Sequence, residues 1–189
     1  MKIWYYGYMD VFAHGLWGGA AFAAINKKIK KPLSMRWAAA FSVFPDVFAF
    51  APMFIWMFWS FASGSLSFAD MPHPDDLEPA QQDTLFIFQF TAQLYQLTHS
   101  IIVFFAVFAI AHFVLKRPVW EMGAWLLHIF IDIPTHSYQF YPTPFLWPLS
   151  GVMVDGISWG VPWFMVLNYT SLVAVYVVLF LRKKKQQAP

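Results

Sequence analysis

Three polar residues recur at intervals of four within the apolar stretch 126–136, LLHIFIDIPTH: His128, Asp132 and His136. On an α-helix a four-residue step turns about 40° and rises about 6 Å, so these side chains would form one polar stripe. Because Pro134 lacks a backbone N–H, we expect His136 just past the regular helix. Imidazole and carboxylate groups on one stripe are typical ligands of a divalent metal ion. For this triplet alone, a hydrogen-bonded pair that steadies a helix bundle stays open as the alternative.

Other apolar segments carry the same residue types. Asp10 and His14 lie four residues apart, Asp46 follows Pro45, and His99 follows a series of glutamines. Ionisable groups at membrane depth are costly and tend to mark functional sites. Seven residues make up the candidate ligand set: Asp10, His14, Asp46, His99, His128, Asp132 and His136. Zinc takes about three or four protein ligands per ion, so the set suits one ion or a bridged pair.

The expected chemistry is hydrolysis by a metal-activated water. The chain has no cysteine, which excludes thiolate metal sites and disulfides. Ser100 follows His99 directly, so on a continuous helix the two side chains would lie on different faces. A divalent metal, with zinc expected, would activate water against an ester or phosphoester, with catalytic roles for Asp46, His128 and Asp132. The expected partners are membrane lipids and a lipid or lipid-linked substrate, and no feature predicts nucleic-acid binding.

Composition indicates an integral membrane protein. Of 189 residues, 59% are hydrophobic and 21% aromatic, and the mean hydropathy is +0.52. A soluble domain of this size could not bury that much apolar surface. The apolar runs predict one all-α membrane-embedded domain over residues 1–189, a polytopic bundle of five spanning helices. These are helices 9–25, 36–61, 85–115, 119–133 and 157–181, with outer loops 62–84 and 134–156 and a basic tail 182–189.

The charge distribution predicts how the chain crosses the membrane. Residues 27–36, 116–117 and 182–185 hold 11 of the 12 basic residues, whereas 62–84 is acidic. By the positive-inside rule the N-terminus lies outside and the C-terminus in the cytoplasm. The candidate site then faces the extracytoplasmic side, beneath an aromatic and proline-rich cap over 134–156. We expect Gln89, Gln93 and Gln96 to line a wet path to it.

Five short motifs, in order, resemble those of the YdjM-type inner-membrane metal-dependent hydrolases. They are His14, Pro45-Asp46, Thr98-His99-Ser100, His128 to Asp132, and Leu146-Trp147-Pro148, and together they cover about residues 9–150. That family is similar, distantly, to zinc-dependent phospholipase C and the fungal single-strand nucleases. The resemblance implies a helical bundle whose metal ligands are His14, Asp46, His99, His128 and Asp132.

Three positions depart from that family pattern. Phe48 stands where a second Asp is usual, and Leu94 and Tyr95 stand where His-Arg is usual. His136 is an addition to the pattern. A single-metal or degenerate centre is therefore an alternative to a full multi-metal site.

Two other function classes stay open. The same histidines could be axial ligands of haem, or could carry metal ions or protons, in a protein that is not an enzyme. The polar residues could also only tie helices together in a structural subunit. His73, in the acidic loop, and His112, near Lys116, are not expected to be ligands.

Overall fold

The computed structural model describes residues 10–65, 67, 86–138 and 141–187, with only the backbone of 183–187. Within these residues the protein is all-α and has six α-helices and one short 3-10 helix. The helices are α1 (Val11–Asn26), α2 (Met35–Ala62), α3 (Phe86–Thr98), α4 (Ile101–Leu115), α5 (Gly123–Thr135) and α6 (Pro162–Gln187), and the 3-10 helix is Trp120–Met122. The loop predicted over 62–84 lies mostly outside the described residues, as does His73.

Helix α2 is the centre of the bundle and packs against α1, α3 and α5. It continues through Pro45 and Pro52 over 28 residues, about 42 Å at the α-helical rise. Gly18 lets α1 approach it closely, since a Cβ there would lie 2.5 Å from Ser42 Oγ. The Ser42 hydroxyl donates to the carbonyl of His14 at 2.5 Å, which ties the two helices together.

The single helix predicted over residues 85–115 is instead two helices, α3 and α4, with a 66° bend between them. Ser100 caps α4, because its hydroxyl oxygen accepts from the backbone N–H groups of Ile102 at 3.1 Å and Val103 at 3.2 Å. The same hydroxyl donates to the carbonyl of Trp147. The break leaves His99 outside both helices.

Two described helices, α2 and residues Pro162–Arg182 of α6, are long and apolar enough to cross a membrane, and the bent α3–α4 pair could form a third span. Helices α1 and α5 have 16 and 13 residues, about 24 and 20 Å, which is short of a hydrocarbon core about 30 Å thick. The fold is therefore compatible with a membrane protein, and five spans stay a prediction. Helix α6 begins at Pro162 rather than at 157, a position that suits proline's missing N–H.

The chain after α5 packs back against the bundle. Helix α5 continues to Thr135, so this segment begins at His136 rather than at 134. Its described part is held by backbone hydrogen bonds from Gly156 to the carbonyl of His136 at 2.7 Å and from Ile101 to that of Phe145 at 3.0 Å. The described part of this aromatic and proline-rich segment is thus tied to α4 and the end of α5, and its role as a cap stays a prediction.

The basic segments meet at one end of the bundle. Lys27 Nζ donates to the carbonyl of Leu179, near the end of α6, at 3.2 Å. The backbone N–H of Ser34 donates to Glu121 Oε1 at 3.0 Å, which joins the α1–α2 loop to the turn after α4. This grouping is what the positive-inside rule requires, while the side of the membrane that this end faces stays a prediction.

Candidate metal centre

Four predicted ligands from separate parts of the chain come together in the interior. Asp46 comes from the middle of α2, His128 and Asp132 from α5, and His99 from the α3–α4 break. Their ligand atoms all lie within 4.8 Å of one another. Asp46 is 2% exposed and the other three are fully buried. This group, here called the four-ligand group, could hold a metal ion.

The spacing within the four-ligand group matches a tetrahedral ion. The Nε2 atoms of His99 and His128 are 3.1 Å apart. Each of these nitrogens lies 3.0–3.5 Å from Asp46 Oδ1 and from Asp132 Oδ2. With bonds of about 2.0–2.1 Å, ligand atoms at the corners of a tetrahedron lie about 3.4 Å apart. The five measured edges are therefore compatible with one ion held by these four residues, and a water on that ion would be a fifth ligand.

Backbone carbonyls orient three of the histidines in the same way. The Nδ1 atom of His128 lies 2.8 Å from the carbonyl oxygen of Ser42. The corresponding distance is 3.0 Å from His99 to Tyr95 and 2.9 Å from His136 to Tyr141. A carbonyl only accepts, so Nδ1 carries the proton and Nε2 of the neutral ring presents its lone pair. This arrangement is typical of metal-binding histidines.

The lone pairs thus face one another and two carboxylates. In the described part of the chain, the oxygens of Asp46 and Asp132 have no hydrogen-bond partner, and the side-chain nitrogens that they contact are Nε2 atoms of histidine rings, that of His14 included. Protonating both His99 and His128 would place two positive rings in contact. A cation at the centre would instead compensate the buried anions and the converging lone pairs, which are otherwise costly.

Asp132 faces a second pair of histidines with its other oxygen. Its Oδ1 lies 3.0 Å from Nε2 of His14 and 3.4 Å from Nε2 of His136. The rings of His14 and His128 are 3.9 Å apart, so the pair adjoins the four-ligand group. Asp132 therefore has the geometry of a carboxylate that could bridge two positions.

Asp10, the seventh candidate, lies elsewhere. It caps α1, where its Oδ1 accepts from the backbone of Ala13 at 2.9 Å and from the hydroxyl of Tyr169 at 3.0 Å. An N-cap residue has its carboxylate directed at the first turn of its own helix. The structure gives Asp10 this capping role and does not place it with the other candidates.

The glutamines of α3 lie off its buried face, and the wet path along them stays a prediction. Gln89 and Gln93 are exposed and Gln96 is half-buried. The buried face of α3 consists of Phe88, Thr91, Tyr95 and Thr98. The ring of Tyr95 stacks on that of His99, with centroids 3.7 Å apart, and its hydroxyl donates to the carbonyl of Tyr141 at 2.9 Å.

Sequence reasoning missed two supporting residues of the centre, Ser42 and Tyr95. A signal for both was present, because each lies four residues before a ligand, Asp46 or His99, and such residues are neighbours on a helix. Tyr95 was considered only as a departure from a family pattern. In the structure it supports both His99 and the segment after α5.

Comparisons of the chain with protein-family models, with curated proteins and with solved structures found no match. The fold and the site together define an all-α protein that is compatible with a membrane and has a buried His/Asp group that could hold a metal ion. The resemblance to the YdjM-type hydrolases stays a prediction drawn from the five motifs.

Proposed function

We propose that this protein is a membrane-bound metal-dependent hydrolase that cleaves an ester or phosphoester of a lipid or lipid-linked substrate. The observation that carries the proposal is the four-ligand group, in which two imidazole nitrogens and two carboxylate oxygens lie at tetrahedral spacing in a buried setting. Two carboxylates and two imidazoles favour zinc or a similar divalent ion. The resemblance to the YdjM-type family supports the same class.

Each residue of the centre has a defined task in this proposal. Asp46, His99, His128 and Asp132 would hold the ion, and His14 and His136, beside the other oxygen of Asp132, could serve a second ion. A bound ion would turn water into a nucleophile at neutral pH and stabilise charge on the attacked group. The carbonyls of Ser42 and Tyr95 keep the Nε2 atoms directed inward. The centre would hold one ion or a bridged pair.

We further propose that the centre faces the extracytoplasmic side of the inner membrane in a five-span chain. The opposite end of the bundle gathers the basic residues, which favours the cytoplasm for that end. Helix α1 begins at Val11 and α5 ends at Thr135, so both have their termini close to the candidate ligands. The segment from His136 onward covers this level of the bundle.

The test is hydrolysis by the purified protein in detergent. We expect stoichiometric divalent metal by elemental analysis, and release of product from a panel of acyl-ester and phosphoester lipids. Activity should disappear on chelation and return with zinc. Asp132→Asn should abolish activity and His112→Ala should retain it. A protein that binds no metal after zinc reconstitution, or that holds metal but cleaves no member of the panel, would contradict the hydrolase assignment.

The haem alternative is not favoured by the geometry. A porphyrin must fit between two axial nitrogens about 2 Å from its iron on either side. The Nε2 atoms of His99 and His128 are only 3.1 Å apart, and two carboxylates point at the same space. A visible absorption spectrum of the purified protein separates the cases, because a Soret band would support haem.

A carrier of metal ions would instead show metal flux across vesicles without hydrolysis.

A further inference from the structure

An apolar cavity of about 570 Å³ lies between α1, α5 and α6. We call it the lateral groove, and its lining includes Ala20, Ala24, Leu127, Phe130, Phe164 and Val175. Phe130 is 53% exposed and Ala24 is also exposed, so the groove opens to the outside of the bundle. Its volume is within the range of ligand-binding pockets.

Two residues that line the lateral groove each carry a buried hydrogen-bond donor without an acceptor. In the described part of the chain, neither Nε1 of Trp159 nor Nδ2 of Asn168 has a partner, although the residues are only 2% and 7% exposed. The amide orientation of Asn168 is defined, because its Oδ1 accepts from Trp17 Nε1 at 2.8 Å and an indole can only donate. A buried donor left unpaired is unfavourable. Acceptor oxygens on a ligand would satisfy the two N–H groups if the side chains turned toward the groove.

The groove leads away from the candidate metal centre. The ring of Trp159 packs edge-on against that of His14, with centroids 5.4 Å apart. Thr135, which also lines the groove, directly precedes His136. From Phe164 to Val175 the lining on α6 extends about 16 Å along the helix. The polar end of the groove thus lies beside the centre, and its apolar length continues along the bundle.

We propose that the lateral groove holds one acyl chain of an ester-linked lipid, whose ester oxygens accept hydrogen bonds from Trp159 and Asn168. This inference rests on the proposed function and narrows its substrate class to acyl-ester lipids. An apolar chain fits the long walls, and ester oxygens would supply the missing acceptors, of which the one for Trp159 would lie next to His14. The scissile bond would then lie toward the metal centre.

The first experiment compares ester with ether lipid. Purified, metal-loaded protein in detergent is photolabelled with phosphatidylglycerol that carries a diazirine in one acyl chain. Unlabelled diacyl phosphatidylglycerol should compete about two- to tenfold better than its dialkyl-ether analogue, because the ether lacks the carbonyl acceptors. Trp159→Phe should reduce this preference. Equal competition by the two lipids with the wild-type protein would overturn the proposal.

The second experiment blocks the groove. Ala24→Trp places a large side chain in the exposed part of the lining, and Ala109→Trp on the exposed surface of α4 is the matched control. We expect Ala24→Trp to lower labelling about tenfold or more, and Ala109→Trp to leave it unchanged. Equal labelling of both variants would mean non-specific lipid contact and would overturn the proposal.

The two proposals can fail separately. Bound metal is measured in every variant, and Ala24→Trp should keep the wild-type content. Groove labelling with the expected ester preference, in a protein that hydrolyses nothing, would support the groove and refute the hydrolase. Hydrolysis that is unaffected by Ala24→Trp would refute the groove and leave the hydrolase standing.

Discussion

At the scale of single residues, the candidate metal centre depends on which group each histidine ring nitrogen contacts. A histidine whose Nδ1 donates to a carbonyl can offer only Nε2 to a metal, so the backbone of Ser42, Tyr95 and Tyr141 decides which atoms converge. Asp132 contacts the Nε2 atoms of four histidines, because each of its two oxygens faces two imidazole rings. Loss of Asp132 should therefore affect the whole centre.

Removing a ligand should remove metal. We expect His128→Ala and Asp132→Ala each to lower the affinity for metal by about tenfold or more, and with it the amount of bound metal. Each substitution deletes a ligand atom of the four-ligand group. His112→Ala and His73→Ala are the controls and should retain the wild-type content. The measurement is elemental analysis of protein purified in detergent. Wild-type metal content in all four variants would make the centre a purely structural cluster.

The position of His136 should depend on a glycine twenty residues away. A Cβ at Gly156 would lie 2.7 Å from the carbonyl oxygen of His136 and would also overlap Pro134. Gly156→Ala should displace this stretch, lower the unfolding free energy by about 1–3 kcal/mol and weaken metal retention. Thermal unfolding and metal titration measure both effects. Gly151→Ala is the control, because a Cβ there meets nothing within 4 Å.

At the scale of elements, α1, α2 and α5 are coupled through Ser42. Its hydroxyl donates to the carbonyl of His14, and its own carbonyl accepts from Nδ1 of His128. The close approach of α1 and α2 at Gly18 is what permits the first of these bonds. The packing of two helices and the orientation of a ligand on a third therefore rest on one small residue.

A side chain at Gly18 should disturb both packing and metal binding. Gly18→Ala forces Ser42 to move, so we expect a loss of about 1–3 kcal/mol in stability. It should also lower the affinity for metal by about 10–100-fold, as substitutions of groups that orient metal ligands do. Gly123→Ala is the matched control, since its Cβ would meet Phe22 at an ordinary 3.8 Å. Equal stability and affinity of the two variants would contradict the coupling.

At the scale of the whole molecule, the bundle has one basic end and an apolar outer surface. The window of α6 that could span a membrane is only 11% buried, and exposed apolar residues such as Phe113 and Val173 continue around α4 and α6. A surface of this kind is stable against lipid and unstable in water. The two short helices, α1 and α5, are held between longer elements.

The predicted orientation can be tested with introduced cysteines, because the chain has none of its own. Ser65→Cys and Gln186→Cys should react with an impermeant reagent from opposite sides of the membrane, Ser65→Cys from outside. The reason is that the positive-inside rule predicts a cytoplasmic location for the basic tail. Labelling of both positions from the same side would rule out the five-span orientation.

The direction in which the centre faces has its own test. An impermeant chelator added outside intact cells should strip the metal or abolish activity, because the centre lies away from the basic end of the bundle. Inverted vesicles, which expose the cytoplasmic side, are the control and should respond more slowly. Loss of metal only in the inverted vesicles would reverse the assignment.

The features that sequence alone determined are those set by composition and by local backbone geometry. The apolar composition predicted an all-α, membrane-compatible protein, and the period of the helix placed His128 and Asp132 on one face. Pro134 predicted that His136 would fall just beyond α5, and the structure confirms it as the C-cap residue. These inferences needed no contact between distant parts of the chain.

Tertiary structure decided the rest, because the deciding contacts join residues far apart in sequence. The break before α4 involves Ser100 and Trp147, 47 positions apart, and the tautomer of His128 depends on Ser42, 86 positions away. Asp10 and Asp46 are both candidate ligands in the sequence, yet the first caps its own helix and only the second reaches the centre. No local pattern encodes which buried carboxylate meets which imidazole, since that depends on how the helices pack.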